Sequence, residues 1–259
     1  MRKKAAKFRN LAPSNYLRMN IELFIPCFID QLFPDTAFNT VKLLEKAGCK
    51  VHYNPEQTCC GQPAFNAGFW DDAKAVGSKF LNDFPSDTVI VSPSASCTGM
   101  VKNYYNDLFT NTAVHNKCRN IQSNIYELSD FLINVLQFDN FGAELDGKAV
   151  YHDSCAGLRE CHIKDEPRQL LSNVLGLELI EMKDNETCCG FGGTFAVKFD
   201  GISTAMAQQK VDNAIAADAD YIISTDASCL MHIQSYIDKN AIPLKTYHLA
   251  DVLVMGWGG

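Results

Sequence analysis

The chain has 259 residues, 47% hydrophobic and 20% charged, which suits one large globular domain or two medium ones. A formal charge of −7 argues against sequence-independent nucleic-acid binding, and no apolar run reaches the roughly 18 residues of a membrane span. Eleven cysteines are too few for a disulfide scaffold, their number is odd, and no secretory signal pattern precedes them. A reducing, cytoplasmic setting is therefore expected, in which the thiols need a chemical reason.

Residues 1–18 hold Arg2, Lys3, Lys4, Lys7, Arg9 and Arg18 without an acid and read as a disordered basic arm. Met19 is an alternative start, because an apolar strand follows it at once; without the arm the charge is 17 − 30 = −13. A first domain is expected over 19–138. Its strands are IELFI (21–25), CKVHY (49–53), TVIVS (88–92) and a short run at 124–126. Helices are expected over 35–47, 69–82, from near Cys97, and over 128–137. The polar, glycine-bearing stretch 139–148 reads as a linker. A second domain over 149–259 repeats the alternation: AVYH (149–152), helix 165–175, LELIEM (177–182), helix 201–217, YIIS (221–224), helix 229–238, LKTY (244–247) and a closing helix. The predicted fold is α/β, two tandem repeats, each a parallel sheet flanked by helices.

The duplication is also written in the cysteines. Cys27, the pair Cys59 and Cys60 with Gly61, and Cys97 form one series. Cys155, the pair Cys188 and Cys189 with Gly190, and Cys229 form another, displaced by 128, 129 and 132 residues. IYELSDFL (125–132) likewise matches TYHLADVL (246–253). In each series the thiols fall just after predicted strands, and in an open parallel sheet those strand ends lie along one edge. Each half should therefore present four thiols at one mouth, and a pair of such mouths could face each other.

Four thiols in a reducing setting favour a metal site, and cysteine-rich sites select iron–sulfur clusters or zinc. The adjacent pairs favour a cluster, since neighbouring thiolates can bind different irons, whereas structural zinc draws on short C-x₂₋₄-C knuckles absent here. Gly61 and Gly190 would let the backbone pass close to a bulky group and aim N–H donors at its sulfurs. CGFGGTF is not the G-x-G-x-x-G of a dinucleotide site. Cys49 reads as a small buried hydrophobe, and Cys118 as an incidental thiol in a polar loop. Cys161 could join the second site but has no counterpart in the first half. His152, three residues before Cys155, could hydrogen-bond a cluster sulfur or exchange protons with a substrate, with packing as the alternative. His115, His232 and His248 have no partner legible in the sequence.

The patterns C-x₃₁-CCG-x₃₅-C and C-x₃₂-CCG-x₃₈-C resemble the duplicated cysteine-rich CCG-domain family. That family includes the CCG-bearing component of heterodisulfide reductase and the iron–sulfur subunits of glycolate oxidase and anaerobic glycerol-3-phosphate dehydrogenase. LFIPCFIDQLFPDTAFNTVKLLEKAGCKV, TCCGQPAFNAG, SPSASC, TCCGFGGTFAVKF and DASCLMHI are most similar to its stand-alone, lactate-utilising branch. The resemblance covers about residues 20–255. It implies an iron–sulfur electron-transfer subunit of a cytoplasmic, NAD-independent system oxidising L-lactate to pyruvate. It also implies an iron–sulfur partner of the lactate utilisation B type, a C-type partner and a small 2-hydroxy-acid substrate. Where the fullest family pattern closes each half with CxxC, Ser94 precedes Cys97 and Asp226 precedes Cys229. Four thiolates per half fit a 4Fe–4S cluster more simply than the five-thiolate clusters of heterodisulfide reductase, with Ser94 and Asp226 as weaker candidates for oxygen ligands. Alternatives are a heterodisulfide reductase-like or other 2-hydroxy-acid oxidoreductase subunit and, in another class, a zinc-stabilised scaffold.

Overall fold

A computed structural model describes residues 19–257, so the basic arm expected over 1–18 lies outside the described residues. The first half holds β1 (Asn20–Leu23), β2 (Lys50–Tyr53), β3 (Val89–Ser92) and β4 (Ile125–Glu127) in the order β2-β1-β3-β4. The second holds β5 (Glu144–Tyr151), β6 (Leu175–Ile180), β7 (Tyr221–Ser224) and β8 (Lys245–His248) in the order β6-β5-β7-β8. All pairs are parallel, so the expected tandem α/β architecture is present, with one topology used twice.

The helices follow from apolar spacing and end signals. In α1 (Cys27–Leu32) and α2 (Pro34–Lys46) the chain turns back directly after β1. Helix α2 has proline in its first turn, buries Thr36, Thr40, Leu43 and Leu44 along one stripe, and stops before Gly48 at φ +88°. The short α3 (Gln62–Asn66) precedes α4 (Trp70–Asp83). After β3, α5 (Ala95–Gly99) runs through a π-helical turn at Met100–Tyr104 into α6 (Tyr105–Phe109), and α7 (His115–Asn124) follows. The helix expected over 128–137 is one short turn, α8 (Leu128–Asp130), followed by a π-helical segment, Phe131–Leu136.

In the second half a further π-helical turn, Ala156–Glu160, precedes α9 (Asp165–Leu171). That helix ends earlier than its apolar pattern suggests, since Val174 already belongs to the core and β6 starts at Leu175. Then come α10 (Thr194–Lys198), α11 (Asp200–Ala216), α12 (Ala227–Lys239) and α13 (Leu249–Val252). Two details differ from the sequence reading. Residues 144–148, expected in the linker, begin β5, which pairs with β6 through a register shift between Glu144 and Gly147. Cys118 lies in α7, fully buried, and not in a polar loop.

Alternate residues on the central strands face two different cores. Ile90 packs with Phe24, Phe80, Phe84 and Tyr105 inside the first half, and Val150 and Ile222 pack inside the second. Their neighbours Val91, Ala149, Tyr151 and Ile223 join one core common to both halves. Polar contacts reinforce that junction: Thr36 and Asn39 donate to Asp251 at 2.8 and 2.9 Å, and Lys46 donates to the Phe141 carbonyl at 2.7 Å.

Candidate functional site

Each half opens its strand carboxyl ends between β1 and β3, or β5 and β7, where the connections diverge to opposite sides of the sheet. Ligand crevices form at that point of an open α/β sheet. Cys27 is the first residue of α1, Cys59 and Cys60 sit in the loop after β2, and Cys97 lies in α5 after β3. Cys155 follows β5, Cys188 and Cys189 follow β6, and Cys229 lies in α12 after β7. All eight line a single cavity of about 660 Å³ between the halves, and all eleven thiols of the chain are free.

Within the first set the Cys27 thiol lies 3.7 Å from the Cys59 sulfur. Donation from the Cys27 and Cys60 thiols, helped by the Gly61 N–H at 3.3 Å, holds the Cys59 thiol down at about 3. The second set repeats this: Cys155 and Cys189 donate to Cys188, and the Gly190 N–H lies 3.4 Å from it, holding that thiol at about 2. The donors Cys27, Cys60, Cys155 and Cys189 are pushed up by those same contacts and by burial. In each half the first cysteine of the vicinal pair is thus the acceptor of its set, and a bound cation would draw protons off the donors.

The two glycines are required by their backbone. Gly61 and Gly190 have φ of +85° and +94°, and a Cβ would lie 3.1 Å from the Ala73 carbonyl oxygen or 2.6 Å from that of Ser203. Their N–H groups point at the sulfur of the cysteine two residues earlier. The Tyr105 hydroxyl donates to the Cys60 carbonyl at 2.9 Å and Ser203 to the Gly190 carbonyl at 2.8 Å, fixing both loops.

His152 is fully buried, and among the described residues neither ring nitrogen meets a hydrogen-bond partner. A ring nitrogen lies within 4.8 Å of the sulfurs of Cys189 and Cys229. Burial, and then the nearby Lys210, push the imidazole down to about 3, so it is neutral. An orphaned imidazole beside free thiols is the donor chemistry of a thiophilic metal or cluster site, and the residues fit one.

The other residues singled out in the sequence lie elsewhere or do other work. Ser94 and Asp226 reach the cavity but face each other: Asp226 accepts from Ser94 at 3.3 Å, the Ser96 N–H and hydroxyl at 3.1 and 2.7 Å, and Ser154 at 2.6 Å. These positions, where the family pattern carries a further cysteine, tie one half to the other. Cys161 is away from the cavity, and its thiol donates to the Ala95 carbonyl at 3.3 Å. Cys49 and Cys118 are buried core thiols pushed up by burial to about 11. The Nε2 of His248 donates to Pro93 across the junction at 2.8 Å, and His232 meets Ser203 at 3.1 Å. His115 Nδ1 is buried without a partner. Lys210, which sequence reasoning passed over, is 1% exposed behind the second set. Its signal was present: a lysine on the apolar stripe of α11 between Ala207 and Val211.

The cysteine-rich CCG domain matches the chain twice, at residues 21–102 and 149–234. The chain is 39% identical over 235 residues to lactate utilization protein A of Anoxybacillus flavithermus, covering 91% of this chain and 99% of that protein. It is 41% identical over 235 residues to that of Halalkalibacterium halodurans, covering 91% and 96%. A crystal structure of a hypothetical protein from Helicobacter pylori has a similar fold, with TM-score 0.55 and 13% identity. That match covers 93% of this chain and about half (49%) of the other. Among the described residues no helix is long and apolar enough to cross a membrane.

Proposed function

Because the chain belongs to the lactate utilization protein A family, each half being a cysteine-rich CCG domain, we propose that it is an iron–sulfur electron-transfer subunit of a lactate-oxidising system. The observation that carries this is the convergence of two four-cysteine sets on one cavity between the halves. In this proposal Cys27, Cys59, Cys60 and Cys97 hold one 4Fe–4S cluster, and Cys155, Cys188, Cys189 and Cys229 hold the other. Such clusters, when bound, accept and release single electrons.

The chain's own residues supply the rest. Four thiolates per half set the cluster charge, and Gly61 and Gly190 contribute N–H groups next to the sulfurs. Phe28 of one half meets Phe191 of the other at the cavity wall, with ring centroids 5.6 Å apart. Oxidation of L-lactate to pyruvate releases two electrons and two protons, which matches successive one-electron transfers through two centres. The system works without NAD in the cytoplasm, with an iron–sulfur B-type and a C-type partner.

The test is to purify the chain anaerobically with those partners and add L-lactate without NAD. Bleaching of the brown colour with pyruvate formation is expected. A coloured complex that D-glycerate or glycolate bleaches and L-lactate does not would move the assignment to another 2-hydroxy acid.

A further inference from the structure

The two halves share one order of elements, and one difference between them lies behind the cysteines. Phe24 follows β1 and its N–H bonds the Val91 carbonyl at 2.9 Å; His152 follows β5 and its N–H bonds the Ile223 carbonyl at 2.8 Å. These residues occupy the same place. On the helix after each CCG loop, the buried series Ala73, Gly77, Phe80, Leu81 of α4 matches Ser203, Ala207, Lys210, Val211 of α11, each 130 residues on. Phe80 and Lys210 are therefore equivalent.

In the first half Phe24 and Phe80 meet edge to face at 4.9 Å, with Phe84 completing a dry aromatic wall. In the second half the same wall is His152 and Lys210. The histidine ring stands within 4.8 Å of the Cys189 and Cys229 sulfurs, with both nitrogens unpartnered. Lys210 Nζ donates to the carbonyls of Asp184 and Asn185 at 2.6 and 3.1 Å, in the loop that leads into Cys188 and Cys189. A buried lysine and an unpartnered histidine are both costly without a purpose.

We propose that the halves are built for different reduction potentials: His152 and Lys210 make the second-half centre the more easily reduced, and Phe24 and Phe80 leave the first-half centre the more reducing. An ammonium stabilises the extra negative charge of a reduced cluster, and an imidazole N–H aimed at a sulfur does the same. The carboxylates that act on Lys210 are Asp153 and the exposed Asp184. Asp153 is held by Arg168 at 2.8 Å, and Asp226 accepts serine donors from both halves. An electron entering at the first half would then move downhill to the second. This inference rests on the iron–sulfur assignment above.

The test is an EPR-monitored redox titration of the anaerobic full chain, after iron per chain has been measured. Two midpoints are expected, with Cys60→Ser retaining the higher and Cys189→Ser the lower. His152→Phe and Lys210→Met should each keep iron and lower only the higher midpoint. A tenfold change in that reduction equilibrium reads as about 59 mV for one electron. Lys210→Arg, which keeps the charge, should restore it, whereas a purely structural role for Lys210 would leave the midpoint unmoved. Equal midpoints, or the higher one in the first half, would overturn this inference alone. Iron-free protein replete with zinc would overturn the electron-transfer assignment and this inference together.

Discussion

Cys60 and Cys189 are the buried members of the vicinal pairs, so a serine there removes a sulfur that no other residue can replace. Cys60→Ser and Cys189→Ser should each lose the metal of one half, measured as iron per chain. Cys118→Ala should keep all of it, because Cys118 packs with Ile121 and Ile125 in the first-half core. Unchanged iron in Cys60→Ser would refute the ligand assignment. At this scale the sequence was highly legible: adjacency, spacing and a following glycine marked all the thiols that reach the cavity. What it hid was direction. The sequence did not show that Ser94 and Asp226 turn toward each other, that Cys161 bonds Ala95, or that Lys210 is buried behind a thiolate. The first two depend on the packing of two halves, which no local pattern encodes, whereas Lys210 is buried within the second half.

The ends of the last strands show the duplication at the scale of elements. Glu127 caps α8 by accepting from the Ser129 and Asp130 N–H groups, and His248 at the equivalent place caps α13 through Nδ1 at 3.1 Å. Glu127 is 1% exposed, its Oε1 has no partner, and burial raises its carboxyl from 4.5 to about 8. Folding therefore takes up a proton between those values. Its stabilising effect is complete below pH 4.5 and is lost as pH rises to about 8. Denaturant unfolding of the wild type against Glu127→Gln should show the difference moving in favour of the variant across that window, by up to about 1.4 kcal/mol per pH unit. A pH-independent difference would contradict this. Strands and long helices were legible from apolar runs and stops at Gly48 and similar residues. The π-helical turns among the described residues were not, because each is too short for local apolar spacing to tell it from an α-helical turn.

For the whole molecule, the cavity exists only if the halves stay docked, and Asp226 is the densest polar tie between them. Asp226→Ala removes an acceptor shared by Ser94, Ser96 and Ser154 and should cost about 2–4 kcal/mol in denaturant unfolding. Asp226→Asn, which keeps one acceptor oxygen, should cost less. A change for Asp226→Ala within ~0.5 kcal/mol of wild type would remove this tie from the junction. The repeat was evident from the offsets near 129, but the docking of the halves into one core was not. Residues such as Val91 and Ile223 read as ordinary strand interior whichever core they face.

The central claim, that two thiolate sets hold iron at one shared cavity, is tested most directly by iron and acid-labile sulfide per chain after anaerobic purification, with EPR of the dithionite-reduced protein. Iron and sulfide in near-equal amounts, with signals from two centres that disappear separately in Cys60→Ser and Cys189→Ser, are expected. A colourless protein that carries zinc and no sulfide would contradict it.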